Sequence, residues 1–309
     1  MIEIYYKNKK LDQQTRIDDF REGSWINIEN AEENDLRKIA ELTGLEYADL
    51  EEALDPLELP RIERHDEGVI IFVQAPNRDY ELREMSYTNL VTLIITDKYF
   101  ISISRKSNSI IRRLIEQSAS IFTTQRSRLL VYFLLQISKS FIREIKVLRG
   151  VVFPNINKNA SVTNADILAL IKHEEVFNQY LYSLVPLKNV FELIAAGHHV
   201  HLFEHDTDLI EDTIINIRQS VDLSSISVKT IRSLRESFQI VFTNRLNKTI
   251  QFLTAFTIIL TIPTIIASVY GMNVKLPFGD NPLAFIYVLG FTAVVALIFA
   301  IFFYRRKWF

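Results

Sequence analysis

Apolar positions fall into two regimes along the chain. Up to about Ser104 they come in short β-branched or alternating runs, at Ile2–Tyr6, Trp25–Ile28, Val69–Gln74, Leu90–Thr96 and Phe100–Ser104. Period-two runs of this kind predict strands. Helical stretches at Ala31–Thr43 and Tyr47–Leu54 interrupt them, and Pro56 and Pro60 bracket a turn. Residues 1–105 therefore predict an α/β domain, a sheet with helices packed against it. From Ser109 the strand signal fades, and 106–205 predicts a helical region. Thr124–Val152 predicts a long helix ended by Gly150 and Pro154, and Asn164–Leu184 a second, stopped near Pro186.

From His198 to Ile262 there is neither Gly nor Pro. A helix from Asp206 to Tyr270 would be roughly 95 Å long at 1.5 Å per residue. Its first part, 206–248, carries a near-heptad stripe: Ile210, Ile214, Ile217, Val221, Ser224, Val228, Ile231, Arg235, Phe238, Phe242 and Arg245. That is the pattern of a stalk packed on other helices, with Arg235 and Arg245 breaking it as a coiled coil. The remainder, 249–270, is about 22 residues without a charge, and 282–304 is a second uncharged stretch of about 23. A buried helix of a soluble protein would explain one such stretch. Two, separated by a polar loop at 271–281 and followed by a basic tail at 305–309, predict a transmembrane hairpin.

Arg245 and Lys248 precede the first span, and Arg305, Arg306 and Lys307 follow the second, whereas Lys275 and Asp280 balance in the loop. The basic excess predicts cytoplasmic N- and C-termini in a multi-pass protein of the cell membrane. Thr254, Thr257, Thr261, Thr264 and Ser268 form a hydroxyl stripe on the first span. It reads either as helix–helix contact through small polar residues or as a wetted pore face. Two helices in one chain do not enclose an aqueous path, so the pore reading requires a homo-oligomer around a shared axis in the lipid bilayer.

Composition agrees with this division. Mean hydropathy is +0.10 although 23% of residues are charged, as expected for a charged soluble part joined to an apolar one. A net charge of −2 supplies no global basic field for nucleic acid. With no cysteine, disulfides and thiolate zinc sites are excluded. The N-terminal residues show no basic segment followed by an apolar run, so no secretory signal is expected. No nucleophile elbow, P-loop or zincin motif is present, which argues against an enzyme.

Directly after the first span stands Tyr270-Gly271-Met272-Asn273. Gly-Met-Asn at the outer end of the penultimate hydrophobic helix, before one more span and a basic tail, resembles the CorA family of divalent-metal channels. Asn244-Arg245-Leu246-Asn247, Pro263, the basic ending, Leu54-Asp55-Pro56 and Arg61-Ile62-Glu63 are similar to further features of that family. The resemblance implies an α/β N-terminal cytoplasmic domain, a long stalk helix and a two-helix transmembrane hairpin in a funnel-shaped homopentamer. It implies a channel for hydrated Mg2+ gated by intracellular Mg2+. Gly271, Met272 and Asn273 would form the selectivity filter, with Asn273 as a metal-site residue. Asn247, Ile250, Leu253, Thr254, Thr257 and Thr261 would line the pore, and Asp212 would be a regulatory metal site on the stalk.

The residue types suit that chemistry. Mg2+ gives up its water reluctantly, and a ring of Asn273 carboxamide oxygens would accept hydrogen bonds from the hydrated ion. Ile250 and Leu253 would close the path by dewetting. Gly271 would permit a tight chain reversal. By itself Asn273 also reads as a helix C-cap. Asp280 is the acid available at the outer mouth, opposed by Lys275. A cluster of His198, His199, His201, Glu204, His205, Asp206, Asp208, Glu211 and Asp212 reads either as a transition-metal site or as a solvated helix start. Alternatives to the Mg2+ channel are a Zn2+ or Co2+ transporter of the same superfamily and a membrane-anchored regulator.

Overall fold

The computed structural model describes residues 2–8, 14–77, 87–116, 121–153, 163–274 and 282–308. The chain divides into two compact units, Met1–Arg232 and Ser233–Phe309.

Among the described residues the first unit has seven strands: β1 (Ile2–Tyr6), β2 (Thr15–Ile17), β3 (Trp25–Glu29), β4 (Arg61–His65), β5 (Gly68–Pro76), β6 (Thr88–Thr96) and β7 (Phe100–Ser104). They form one sheet in the order β2-β1-β3-β7-β6-β5-β4. Only β3 and β7 run parallel, and the other neighbours are antiparallel. Five of these strands follow the predicted runs. β2 and β4 were not predicted, because both are mostly polar strands at the sheet edges and β2 has three residues. Arg61, Arg64 and His65 give β4 no apolar alternation for a sequence pattern to register.

Period two sorts the strand side chains onto two faces. Ile26, Ile28, Ile101, Ile103, Ile70 and Phe72 bury against Leu36 and Ile39 of α1 (Glu33–Thr43) and Leu50 of α2 (Tyr47–Glu51). Helix α1 ends at Gly44, whose φ of 84° is the left-handed conformation glycine adopts most easily. On the opposite face, Phe133 of α4 (Arg126–Val152) meets the Trp25 ring edge-on at 5.4 Å and Phe100 at 5.3 Å. Polar groups on that face are joined in series: Trp25 Nε1 donates to Ser102 Oγ at 2.8 Å, and Ser102 Oγ donates to Asn27 Oδ1 at 2.8 Å. A short helix, α3 (Ser109–Glu116), leads into α4.

Helix α5 (Asn164–Ala195) starts at a capping box. Asp166 N donates to Thr163 Oγ1, while the backbone and then the hydroxyl of Thr163 donate to the Asp166 carboxylate and hold its pKa below the ordinary value. One predicted helix end holds and one is corrected. α4 ends at Val152 as expected, although Gly150 lies inside it, whereas Pro186 lies inside α5, which continues to Ala195. Proline removes an N–H and crowds the preceding turn, at about 3 kcal/mol in a helix interior. Phe177, Tyr180, Leu184, Leu187, Phe191 and Ile194 are all buried on one stripe that crosses Pro186. Burying such side chains contributes roughly 1.5–3 kcal/mol each, which outweighs one proline.

Helix α6 (Thr207–Tyr270) spans 64 residues and contributes to both units. In the first, Ile210, Ile217, Ser224, Val228 and Ile231 are buried, as the stripe predicts. Thr213, Ser220 and Ser227 are buried too, their hydroxyls donating to carbonyls four residues back. Arginines tie this segment to its neighbours: Arg218 to Glu192 at 2.6 Å, Arg232 to Glu174 at 2.7 Å, and Arg149 of α4 to Ser227 Oγ at 2.6 Å. Phe242, farther along the same stripe, lies in the second unit and is exposed.

Two measurements check this architecture. A Cβ on Gly68 would collide with the Ile95 carbonyl oxygen of β6, part of the rigid ladder. Gly68→Ala is expected to lower stability by about 2 kcal/mol or more in thermal unfolding of the full chain. Half-buried His173 has its pKa lowered, first by desolvation and then by Lys172. The unfolded chain therefore takes up this proton more readily, and stability is lost as pH falls below about 6.5 through the lowered folded-state value. His173→Gln is expected to flatten that acid-side loss in melts between about pH 5 and 7.5.

Candidate pore helix and signature loop

The second unit holds the rest of α6 and helix α7 (Ala284–Arg305). Both helices are long and apolar enough to cross a membrane. Their side chains are largely exposed in the single chain, Phe285 at 76% and Leu253 at 61%. A surface this apolar calls for lipid or protein around it.

The two helices meet on one face of α6. Ile265, Ile266, Val269 and Tyr270 stand across an apolar hollow from Ala284, Tyr287, Val288 and Phe291. Ala255 is fully buried. Asn247, Ile250, Thr254, Thr257 and Thr261 recur at steps of three and four and lie on a different face of the helix, with Leu253 at its edge. Every one of these residues is exposed. The hydroxyl stripe is therefore not what holds α6 to α7, and it stays open on the surface of the chain.

The hydroxyls on that face are oriented. Thr257 Oγ1 donates to Leu253 O at 2.8 Å, Thr261 Oγ1 to Thr257 O at 2.7 Å, and Thr264 Oγ1 to Leu260 O at 3.0 Å. Each thus spends its one proton on its own helix and keeps lone pairs free to accept. A column of acceptors suits partners that donate, such as waters polarised by a cation.

At the C-terminal end of α6, Gly271 N donates to Ala267 O at 2.9 Å and Met272 N to Val269 O at 3.2 Å, so backbone groups close the last turn. Asn273 is exposed and makes no side-chain hydrogen bond among the described residues. The C-cap role open to it in the sequence is not realised. Gly271 is also not in the left-handed region, unlike Gly23, Gly44 and Gly197. The expected glycine-dependent reversal is corrected: a Cβ there would meet Ala267 O at 3.4 Å, an ordinary contact. Asp280 and Lys275 lie outside the described residues.

Asp212 sits on the first-unit part of α6 and is exposed, as are Asp208 and Glu211. None of the three forms an ion pair among the described residues. The described members of the histidine and acid cluster do not assemble. Among the described residues no three His, Asp or Glu side chains come together around one point. Asp206 is buried beside Arg128, Oδ1 to Nε 3.6 Å, and His201 packs edge-on against Phe203. The side chain of His205 lies outside the described residues.

The Arg61 segment has a structural use that spacing did not reveal. The Arg61 guanidinium bonds Glu52, Glu58 and Glu63, the last at 2.7 Å, and lies 4.2 Å over the Phe72 ring. Asp55 Oδ1 accepts from Leu57 N at 2.8 Å. These contacts fasten edge strand β4 to the turn before it.

An α/β domain followed by two membrane-length helices, the first of them the long α6, defines an integral membrane protein with a large water-soluble part. The chain belongs to the family described as CorA-like Mg2+ transporter protein, whose model matches residues 21–305. It is accordingly a divalent-cation transporter of the CorA type and not an enzyme. The cobalt/magnesium transport protein CorA of Methanocaldococcus jannaschii is 25% identical over 299 residues, covering 92% of this chain and 90% of that protein. The protein of the same description from Thermotoga maritima is 25% identical over 311 residues, covering 94% and 85%. The complete structure of the CorA magnesium transporter from Methanocaldococcus jannaschii matches with a TM-score of 0.83 at 21% identity, over 100% of this chain and 99% of that one.

The open hydroxyl face has a consequence for stability. Thr257→Val removes an intrahelical bond at an exposed position and is expected to change stability in thermal unfolding only slightly, within about 0.5 kcal/mol. A larger loss would mean that the face is buried in the assembled protein.

Proposed function

We propose that the protein is a channel for hydrated Mg2+ in the cytoplasmic membrane, formed by several copies that gather α6 around a common axis. A homopentamer is what the CorA resemblance implies. One observation carries the reading: the face of α6 left open by α7 bears oriented acceptor hydroxyls and runs from Asn247 to the exposed Gly271-Met272-Asn273 loop. Basic flanks at Arg245, Lys248 and Arg305–Lys307 support cytoplasmic termini.

In this reading the Asn273 carboxamides form the selectivity filter. They accept hydrogen bonds from the ion's water shell, which avoids stripping an ion that dehydrates reluctantly. Thr254, Thr257 and Thr261 continue the acceptor path inward. Ile250 and Leu253 are the apolar constriction, and Asn247 a polar ring at the cytoplasmic end. Gly271 is needed because neighbouring copies crowd the axis, not because its own backbone is strained. Asp212 binds intracellular Mg2+ at an interface between copies, so that ion release leaves unneutralised carboxylates that loosen the closed assembly.

Uptake by purified protein in liposomes tests the filter. Asn273→Ala is expected to abolish Mg2+ flux or its selectivity. Gly271→Ala is expected to fold and insert normally but to lower flux more than about tenfold. Unchanged uptake in Asn273→Ala would instead favour a membrane-anchored regulator. Asp212→Ala is expected to keep conducting at internal Mg2+ levels that close the parent protein.

A second reading is transport of Co2+ or Zn2+: the description of two relatives as cobalt/magnesium transport proteins supports Co2+, and Zn2+ has the same charge, so a ring of neutral amides has no charge difference by which to reject it. Comparing Mg2+, Co2+ and Zn2+ uptake with and without a proton gradient separates the two. Proton-coupled flux of Zn2+ alone would overturn the Mg2+ channel.

A further inference from the structure

We infer that the basic turn closing α7, Arg305–Trp308, is a binding site for the headgroup of an anionic phospholipid. This rests on α7 crossing a bilayer, and not on which ion the protein carries.

The end of α7 is folded back and fixed. Lys307 N donates to Tyr304 O at 3.0 Å and Trp308 N to Phe303 O at 3.1 Å. That pair of bonds is the Schellman arrangement, which needs a left-handed residue between them and an apolar contact across them. Lys307 supplies the first, with φ of 58°. Trp308 supplies the second, its ring 5.1 Å from that of buried Phe303. Glycine or asparagine would adopt this conformation with less strain. A lysine here keeps a cation at the one place where it is held against the helix end.

Charge and depth then point to the ligand. Arg305, Arg306 and Lys307 are exposed, and none pairs with a carboxylate among the described residues. Arg306 lies 5.8 Å over the Phe302 ring, so its guanidinium stays close to the apolar surface. Among the described residues nothing accepts from the Trp308 indole N–H. The C-terminal dipole of α7 would favour cations at this end but does not call for an indole beside them. Forked guanidinium donors match phosphate oxygens, and an indole with an apolar body and one donor suits the boundary between hydrocarbon and headgroups. A soluble phosphate would use the cations but gain nothing from Trp308.

Selectivity of the full chain for spin-labelled phosphatidylglycerol over phosphatidylcholine tests this in reconstituted bilayers. The parent protein is expected to prefer phosphatidylglycerol, at about fivefold per engaged cation, and to lose most of that preference in high salt. Arg305→Gln, Arg306→Gln and Lys307→Gln combined should abolish the preference while α7 still resists carbonate extraction. An unaltered preference in the combined variant, a salt-independent preference in the parent, or equal competition by soluble glycerol phosphate would each overturn the site. Should the combined variant fail to insert, the salt response of the parent decides. Extraction of the parent protein by carbonate would sink the membrane reading itself, a separate outcome.

Discussion

A chain that passes from water into hydrocarbon has to satisfy its backbone hydrogen bonds internally, and this constraint shapes α6 more than any single contact. The helix is uninterrupted from Thr207 to Tyr270 although Pro263 lies within it. Proline removes one donor there, and the neighbouring Thr264 hydroxyl adds a bond to the Leu260 carbonyl. Threonine side chains that donate backward serve two ends at once. They occupy their own proton in a setting where an unused donor is expensive, and they leave oxygen lone pairs on the outer face of the helix.

The water-soluble part of α6 obeys a different economy. There Ile210, Ile217, Val228 and Ile231 bury in the same stripe as Thr213, Ser220, Ser224 and Ser227. Small hydroxyl residues let neighbouring helices approach, and the Arg218–Glu192 and Arg232–Glu174 pairs link α5 to α6. Arg218 and Arg232 are both well exposed, so these pairs add little stability in salt. Apolar burial holds the helices together, and the arginines bridge them at the surface.

Sequence patterns disclosed much of this. Alternating runs identified five of seven strands, and the long interval without Gly or Pro identified α6 within a residue at its start. The two remaining strands were hidden because each edge strand carries a single apolar residue, Ile17 or Ile62, too few to show an alternation, and Arg61 of β4 instead bonds carboxylates of Glu52, Glu58 and Glu63. Pro186 misled for a related reason: local propensity argues for a stop, whereas the buried stripe from Phe177 to Ile194 carries the helix through it. The histidine and acid cluster looked like a metal site because spacing does not say which side chains turn inward, as Asp206 does.

Charge-free length was enough, from the amino-acid order alone, to mark two helices of membrane-crossing length, because the hydrocarbon thickness and the exclusion of charge act on composition and not on fold. The Gly-Met-Asn signature and its place at the end of the first span were equally legible. Which face of α6 is covered was decided only by tertiary structure, since the hydroxyl stripe fits helix contact and open surface alike until α7 is seen against the other side. The same holds for Gly271 and Asn273. Backbone bonds from Gly271 N and Met272 N close the helix with no left-handed glycine and no Asn273 side-chain bond, and both residues stay exposed at the end of the helix.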